Sequence, residues 1–135
     1  MIVKTSMDEF YFRQLRVYGN SKELVKYVYA LLSKYPEEEK FALCSQIRRA
    51  VTSIPINIAE GFGRFSSKEK THFIEISFGS LTEVSCELEI SYELGFITKD
   101  EYEEAEKQII IISKQLSNLH KSVSQNFTKI IDSQN

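Results

Sequence analysis

The chain has 135 residues, 42% hydrophobic and 27% charged, with a formal net charge of −2. Those values describe one ordinary soluble domain, large enough to bury a core without disulfides or a structural metal. They exclude a strongly basic nucleic-acid binder, and no run approaches the roughly 20 apolar residues of a membrane span.

Only 5 glycines and 2 prolines are present, which favours long helices over many short strands. The opening "MIVKTSMDEF" lacks the apolar stretch of a signal peptide, so the expected location is cytoplasmic. Cys44 and Cys86 are too few for a disulfide framework. Four segments then show helical periodicity. The first runs from about Leu15 to Tyr35, on Val17/Tyr18, Leu24/Val25, Val28, Leu31/Leu32 and Tyr35, with Gly19-Asn20 weakening its opening turns. Pro36, followed by Glu37, Glu38 and Glu39, suits the first turn of a second helix. Its core stripe is Cys44, Ile47, Val51, Ile54 and Ile58, and Gly61 is its expected left-handed end.

Ser66-x-x-Glu69 reads as a capping box opening a third helix. Ile74, Ser77/Phe78, Leu81, Val84, Leu88 and Ser91 follow at core spacing, ending near Gly95. Thr98-x-x-Glu101 is a second capping box. From it Tyr102, Ala105, Ile109, Ile112, Leu116, Leu119 and Val123 hold a heptad. Phe127, Ile130 and Ile131 are apolar enough to prolong this fourth helix. Short connections force sequential helices antiparallel, so the expected fold is all-α: an antiparallel up-down-up-down four-helix bundle. It forms a single domain over 1–135, with an ordered core at about 13–123 and flexible N- and C-terminal ends.

The outward positions are less ordinary. With the second helix's stripe at core positions, Arg49 and Ile56 fall outermost, and Pro55 and Phe62 flank them. On the third helix Gly79 and Cys86 are outermost, and Ile76 and Ile90 also point away from the core. Apolar or small residues there mark an interface more often than a solvated helix back. Pro55 removes an N–H and should kink the helix, with Thr52 or Asn57 placed to serve freed carbonyls. Glu60 is placed to pair with Arg64 four residues on, or to reach Arg48 or Arg49. The expected oligomer interface is Arg49, Pro55, Ile56, Asn57, Glu60, Phe62, Arg64, Ile76 and Gly79. The fourth helix instead carries an outward lysine stripe, Lys107, Lys114 and Lys121, which Lys129 would extend.

The runs "QIRRAVTSIPINIAEGFGR", "SFGSLTEVSCELEIS" and "LGFIT" carry a resemblance. Gln46 to Ala50, Ser53 to Gly61 and Gly79 to Glu83 resemble the hallmark of the proteins encoded in intervening sequences of bacterial 23S ribosomal RNA genes. The likeness covers roughly residues 15–123. It implies a four-helix bundle assembled into a ring-like homopentamer. The chain is also similar to the accessory variability protein of diversity-generating retroelements, a pentameric bundle that binds nucleic acid and a reverse transcriptase.

Chemistry is sparse. His72 and His120 lie on different helices without a matching ligand one turn away, and the lone Glu69-x-x-His72 is more simply a capping glutamate. Cys44 falls on the core stripe and Cys86 on an outer face, neither beside a base. "GFGR" lacks the lysine and hydroxyl of a phosphate loop. Glu83, Glu87 and Glu89, and the carboxylates from Glu101 to Glu106, read as solvated faces. The expectation is therefore a non-catalytic protein with no metal and no cofactor. It partners with itself, and with a further protein or with nucleic acid, but not with a membrane. The alternative is a sequence-nonspecific RNA or DNA binder, whose candidate contacts are Arg48, Lys68, Lys70, Lys107, Lys114 and Lys121.

Overall fold

The computed structural model describes residues 10–125. Of the expected flexible ends, residues 1–9 and the last ten, with the roles of Phe127, Lys129, Ile130 and Ile131, lie outside the described residues, while Tyr11 and Phe12 belong to a short turn before the first helix. Four long helices account for the described fold: α1 (Arg16–Leu32), α2 (Leu43–Phe62), α3 (Ser67–Glu93) and α4 (Lys99–Gln125). Short 3-10 turns at Tyr11–Gln14 and Glu37–Glu39 precede α1 and α2.

Hydrogen bonds between helices fix their directions. The Asn20 side-chain amide donates to Gln115 and the Tyr27 hydroxyl to the Glu101 carbonyl, so α1 and α4 run in opposite senses. Ser53 meets Ser80 and Ser77 meets the Ile54 carbonyl, which makes α2 and α3 antiparallel. Ser85 donates to Glu106 and His120 pairs with Glu75, which does the same for α3 and α4. Each helix packs chiefly against two neighbours, in the cyclic order α1, α2, α3, α4. The expected up-down-up-down bundle is the fold.

The periodic stripes form its centre. Leu24, Val28, Ile47, Val51, Ile54, Ile58, Ile74, Leu81, Leu88, Ile112 and Leu116 are all buried to 1–2% exposure or less. Each such side chain contributes about 1.5–3 kcal/mol by leaving water. Small hydroxyl residues fill the places where backbones approach. Ser21 and Ser91 are buried and return their hydroxyls to the carbonyls of Val17 and Glu87 on their own helices.

The ends follow local chemistry, with two departures from expectation. Pro36 does not open α2: it precedes the Glu37–Glu39 turn, and α2 begins only at Leu43. A proline and three glutamates favour any helical first turn, and the chain uses that preference for an isolated one. Gly61 is not a left-handed cap either. It lies inside α2, which runs to Phe62, and the capping Gly63 keeps a right-handed φ of −86°. What position 61 needs is absence of a side chain, because a Cβ there would stand 2.9 Å from the Phe73 Cβ on α3. α2 and α3 are the most extensively packed helix pair, and this close approach lies at their shared end.

The Thr98-x-x-Glu101 box forms in full: the Glu101 N–H donates to Thr98 Oγ1 and the Thr98 N–H to Glu101 Oε1. The Ser66 hydroxyl caps α3 by accepting from the Glu69 N–H. At the far end of α3, the Phe96 N–H reaches the Ser91 carbonyl and the Gly95 N–H the Tyr92 carbonyl. Gly95, at φ +81°, occupies the left-handed position this motif requires.

Candidate assembly surface

α2 runs unbroken through Pro55. The proline leaves the Val51 carbonyl without its usual helical donor. The Thr52 hydroxyl goes to the Arg48 carbonyl instead, and the Asn57 amide to the Ser53 carbonyl and hydroxyl. Ser53 in turn meets Ser80 on α3, so this stretch is tied to its neighbour by polar bonds.

Pro55 is buried, not an exposed flank as expected, because it faces α1. Beside it Ile56 stands 60% exposed. Together they line a groove of about 880 Å³ between α1 and α2, along with Phe12, Tyr18, Val25 and Ala59. Lys22, Lys26, Glu60 and Arg64 give the same groove charge. The Arg64 guanidinium pairs with Glu60 at 2.8 Å and lies 4.9 Å from the Phe73 ring centre. A half-exposed pair of this kind contributes at most about 1 kcal/mol.

The opposite side of the bundle carries a second groove, of about 460 Å³, between α3 and α4. Phe78, Gly79, Glu75, His120 and Lys121 are among its lining residues. Phe78 is 41% exposed: the core position it shared with Ser77 in the sequence belongs to Ser77 alone. Ile76 is 38% exposed nearby on α3.

The expected interface residues therefore do not form one patch. Pro55, Ile56, Glu60 and Arg64 share the α1–α2 groove, and Gly79 lines the opposite one. Arg49 is exposed higher on α2, and Asn57 is half-buried in its bond to Ser53. Phe62 packs within the subunit, its ring centre 5.7 Å from that of Tyr11.

The cations divide similarly. Lys107, Lys114 and Lys121 are exposed at heptad spacing on α4, as expected, and Lys68 is exposed at the start of α3. Arg48 is half-buried against the pocket that holds Cys44. Lys70 is not a surface contact. It is 4% exposed, donates to the Arg64 carbonyl, and lies 5.6 Å from the Phe62 ring centre. Burial pushes its ammonium below the usual lysine range.

Other residues carry no signal in the sequence pattern. Ile110 and Ile111 are about half exposed on α4, at 49% and 46%, so that helix too has apolar surface beside its lysines. Glu87 is buried rather than solvated. Burial first, then the neighbouring Glu83, pushes its carboxyl up to about 7 against the pull of Arg49. Cys44 is buried, which pushes its thiol up and keeps it protonated, while Cys86 is exposed. No group of three metal-ligating side chains occurs among the described residues. No described helix is long and apolar enough to cross a membrane.

A square antiparallel bundle with a groove on each of two opposite sides belongs to the class of small helical-bundle proteins. The chain belongs to the 23S rRNA-intervening sequence protein family, whose family model matches residues 13–118. A solved structure of a protein of unknown function from the S23 ribosomal protein family of Bacteroides thetaiotaomicron matches with a TM-score of 0.73 at 27% identity. The alignment covers 78% of this chain and 96% of that one. A search of curated proteins returns no match.

Proposed function

We propose that the protein is a non-catalytic, cytoplasmic assembly module: a homo-oligomer, pentameric as the resemblance implies, that presents a ring surface to a partner. The observation that carries this reading is the α1–α2 groove, where Ile56 stands 60% exposed beside Pro55. An apolar cleft of that size on a small helical domain favours coverage by another chain. A second copy suits it because the second groove lies on the opposite side of the bundle, with Phe78 and Gly79. Two different faces that meet head to tail generate a closed ring when the rotation between copies closes.

Sedimentation velocity at micromolar concentration tests the reading. A single oligomeric species, lost on Ile56→Glu with the helical spectrum retained, is the expected result. A wild-type monomer overturns it.

A further inference from the structure

The two ends of the bundle carry opposite charge. Residues 30–46 and 88–104 form one end, with nine acidic residues against three basic. Among the described residues, 10–19, 58–72 and 116–125 form the other, with six basic against two acidic, histidines aside, the buried Lys70 being one of the six. Helix dipoles do not account for this. An antiparallel bundle places two helix N-termini and two C-termini at each end, so their partial charges cancel. The polarity is therefore a property of side-chain placement, in a molecule whose overall charge is close to neutral.

The basic end also presents Phe65, which at 101% exposure is the most exposed large apolar residue described. Its loop is firmly held. Arg64 pairs with Glu60 and lies against Phe73, and the buried Lys70 ammonium holds the Arg64 carbonyl. On the other side, the Ser66 hydroxyl accepts from the Glu69 N–H at 3.1 Å. A ring carried on a backbone tied on both sides leaves mainly its own side-chain rotation to be lost when something packs on it. At the same end of the bundle Lys68 and Arg16 are exposed, and the Arg13 guanidinium lies 4.6 Å from the Phe12 ring centre.

We propose that this end docks single-stranded nucleic acid. One base stacks on Phe65, and the flanking phosphates meet Lys68, Arg64, Arg16 and Arg13. A base offers a flat face to any projecting ring, and its backbone supplies an anion at every step. An acidic protein would in addition need a preformed apolar pocket for Phe65. On α4 the exposed large apolar side chains are Ile110 and Ile111, neither of them aromatic, so the stripe of Lys107, Lys114 and Lys121 offers charge without a stacking ring of its own. Arg64 lines the α1–α2 groove, but Phe65, Lys68, Arg16 and Arg13 line neither groove, so the stacking site does not rest on the assembly.

The test is fluorescence anisotropy of a labelled oligothymidylate or oligouridylate with the full chain, with molecular mass measured in the same samples. Binding at 50 mM salt should weaken about a hundredfold at 300 mM for four phosphate contacts. Phe65→Ala should cost about tenfold, the effect of one stacked base. Phe65→Tyr should retain affinity, Lys68→Glu should lose it, and Phe41→Ala at the acidic end should leave it unchanged. Because Phe65 is fully exposed, its alanine variant keeps the fold, which circular dichroism verifies. No binding at 50 mM salt overturns the proposal. So does binding that Phe65→Ala and Lys68→Glu leave intact, or salt-sensitive self-association through Phe65 in its place. Oligonucleotide binding by a monomer would support this inference while refuting the assembly reading.

Discussion

Ile56→Glu asks whether one subunit is complete without another. Fully removing an isoleucine side chain from water is worth about 1.5–3 kcal/mol. With Ile56 still 60% exposed in the single subunit, roughly half of that, about 1–2 kcal/mol, is left to be gained at a contact. A glutamate forfeits this gain, and its unpaired carboxylate resists burial by several kcal/mol more. Each intersubunit contact should therefore weaken by about 3 kcal/mol or more, beyond a hundredfold in association constant. Within the subunit the exchange sits on an exposed helical face, where it changes helix propensity by only a few tenths of a kcal/mol. Sedimentation velocity should give a monomer, and circular dichroism an undiminished helical signal. A variant that sediments like wild type removes Ile56 from the interface. One that loses its helices shows that Ile56 supports the subunit's own core.

Two glycines separate close packing from open surface. Gly61→Ala drives a Cβ to 2.9 Å from Phe73 and should cost about 1–3 kcal/mol in a urea titration. Gly79→Ala meets nothing within 4 Å inside the subunit and should stabilise α3 by up to about 1 kcal/mol in any monomeric background. Thr98→Ala removes the acceptor for the Glu101 N–H and should cost about 1 kcal/mol by the same titration. Glu87 gives the pH dependence. Its carboxyl is pushed up to about 7 from 4.5, so the folded state holds a proton that the unfolded chain releases earlier. Stability should fall as pH rises from 4.5 through 7, by up to about 3 kcal/mol, and then level off. Urea titrations at pH 5.5 and 8.5 should show this slope, and Glu87→Gln should flatten it. An unchanged slope in that variant would assign the titration to another group.

The bundle is legible because its core obeys a single rule. Residues such as Ile47, Val51, Ile54 and Ile58 recur at helical spacing, and the structure buries them completely. The positions where expectation and structure part are those where two physical causes give the same residue. A glycine near a helix end serves a left-handed turn at Gly95 but a close helix approach at Gly61, and only the neighbouring helix distinguishes them. A lysine reads as solvated unless the loop carbonyl it reaches is known, which is why Lys70 looks like a surface cation in the sequence. Glu87 sits beside Leu88 at the edge of the core stripe, where a small rotation of α3 decides between water and burial. Of the candidate surface, outward Ile56, Ile76 and Gly79 are legible from the same periodicity. The grooves are not, since a groove belongs to two helices and periodicity describes one. Phe65 lies in a loop, outside any period.

An even number of antiparallel helices also decides where the described chain can be extended. Tyr11 and Gln125 both lie at the end that bears Phe65. A fluorescent protein or affinity tag held close to either residue would crowd that end and screen it from large ligands. The connection between Leu32 and Leu43 lies at the far end and exposes Phe41 at its tip. A reporter inserted there would leave the basic end open, and the helices on either side would keep their pairing.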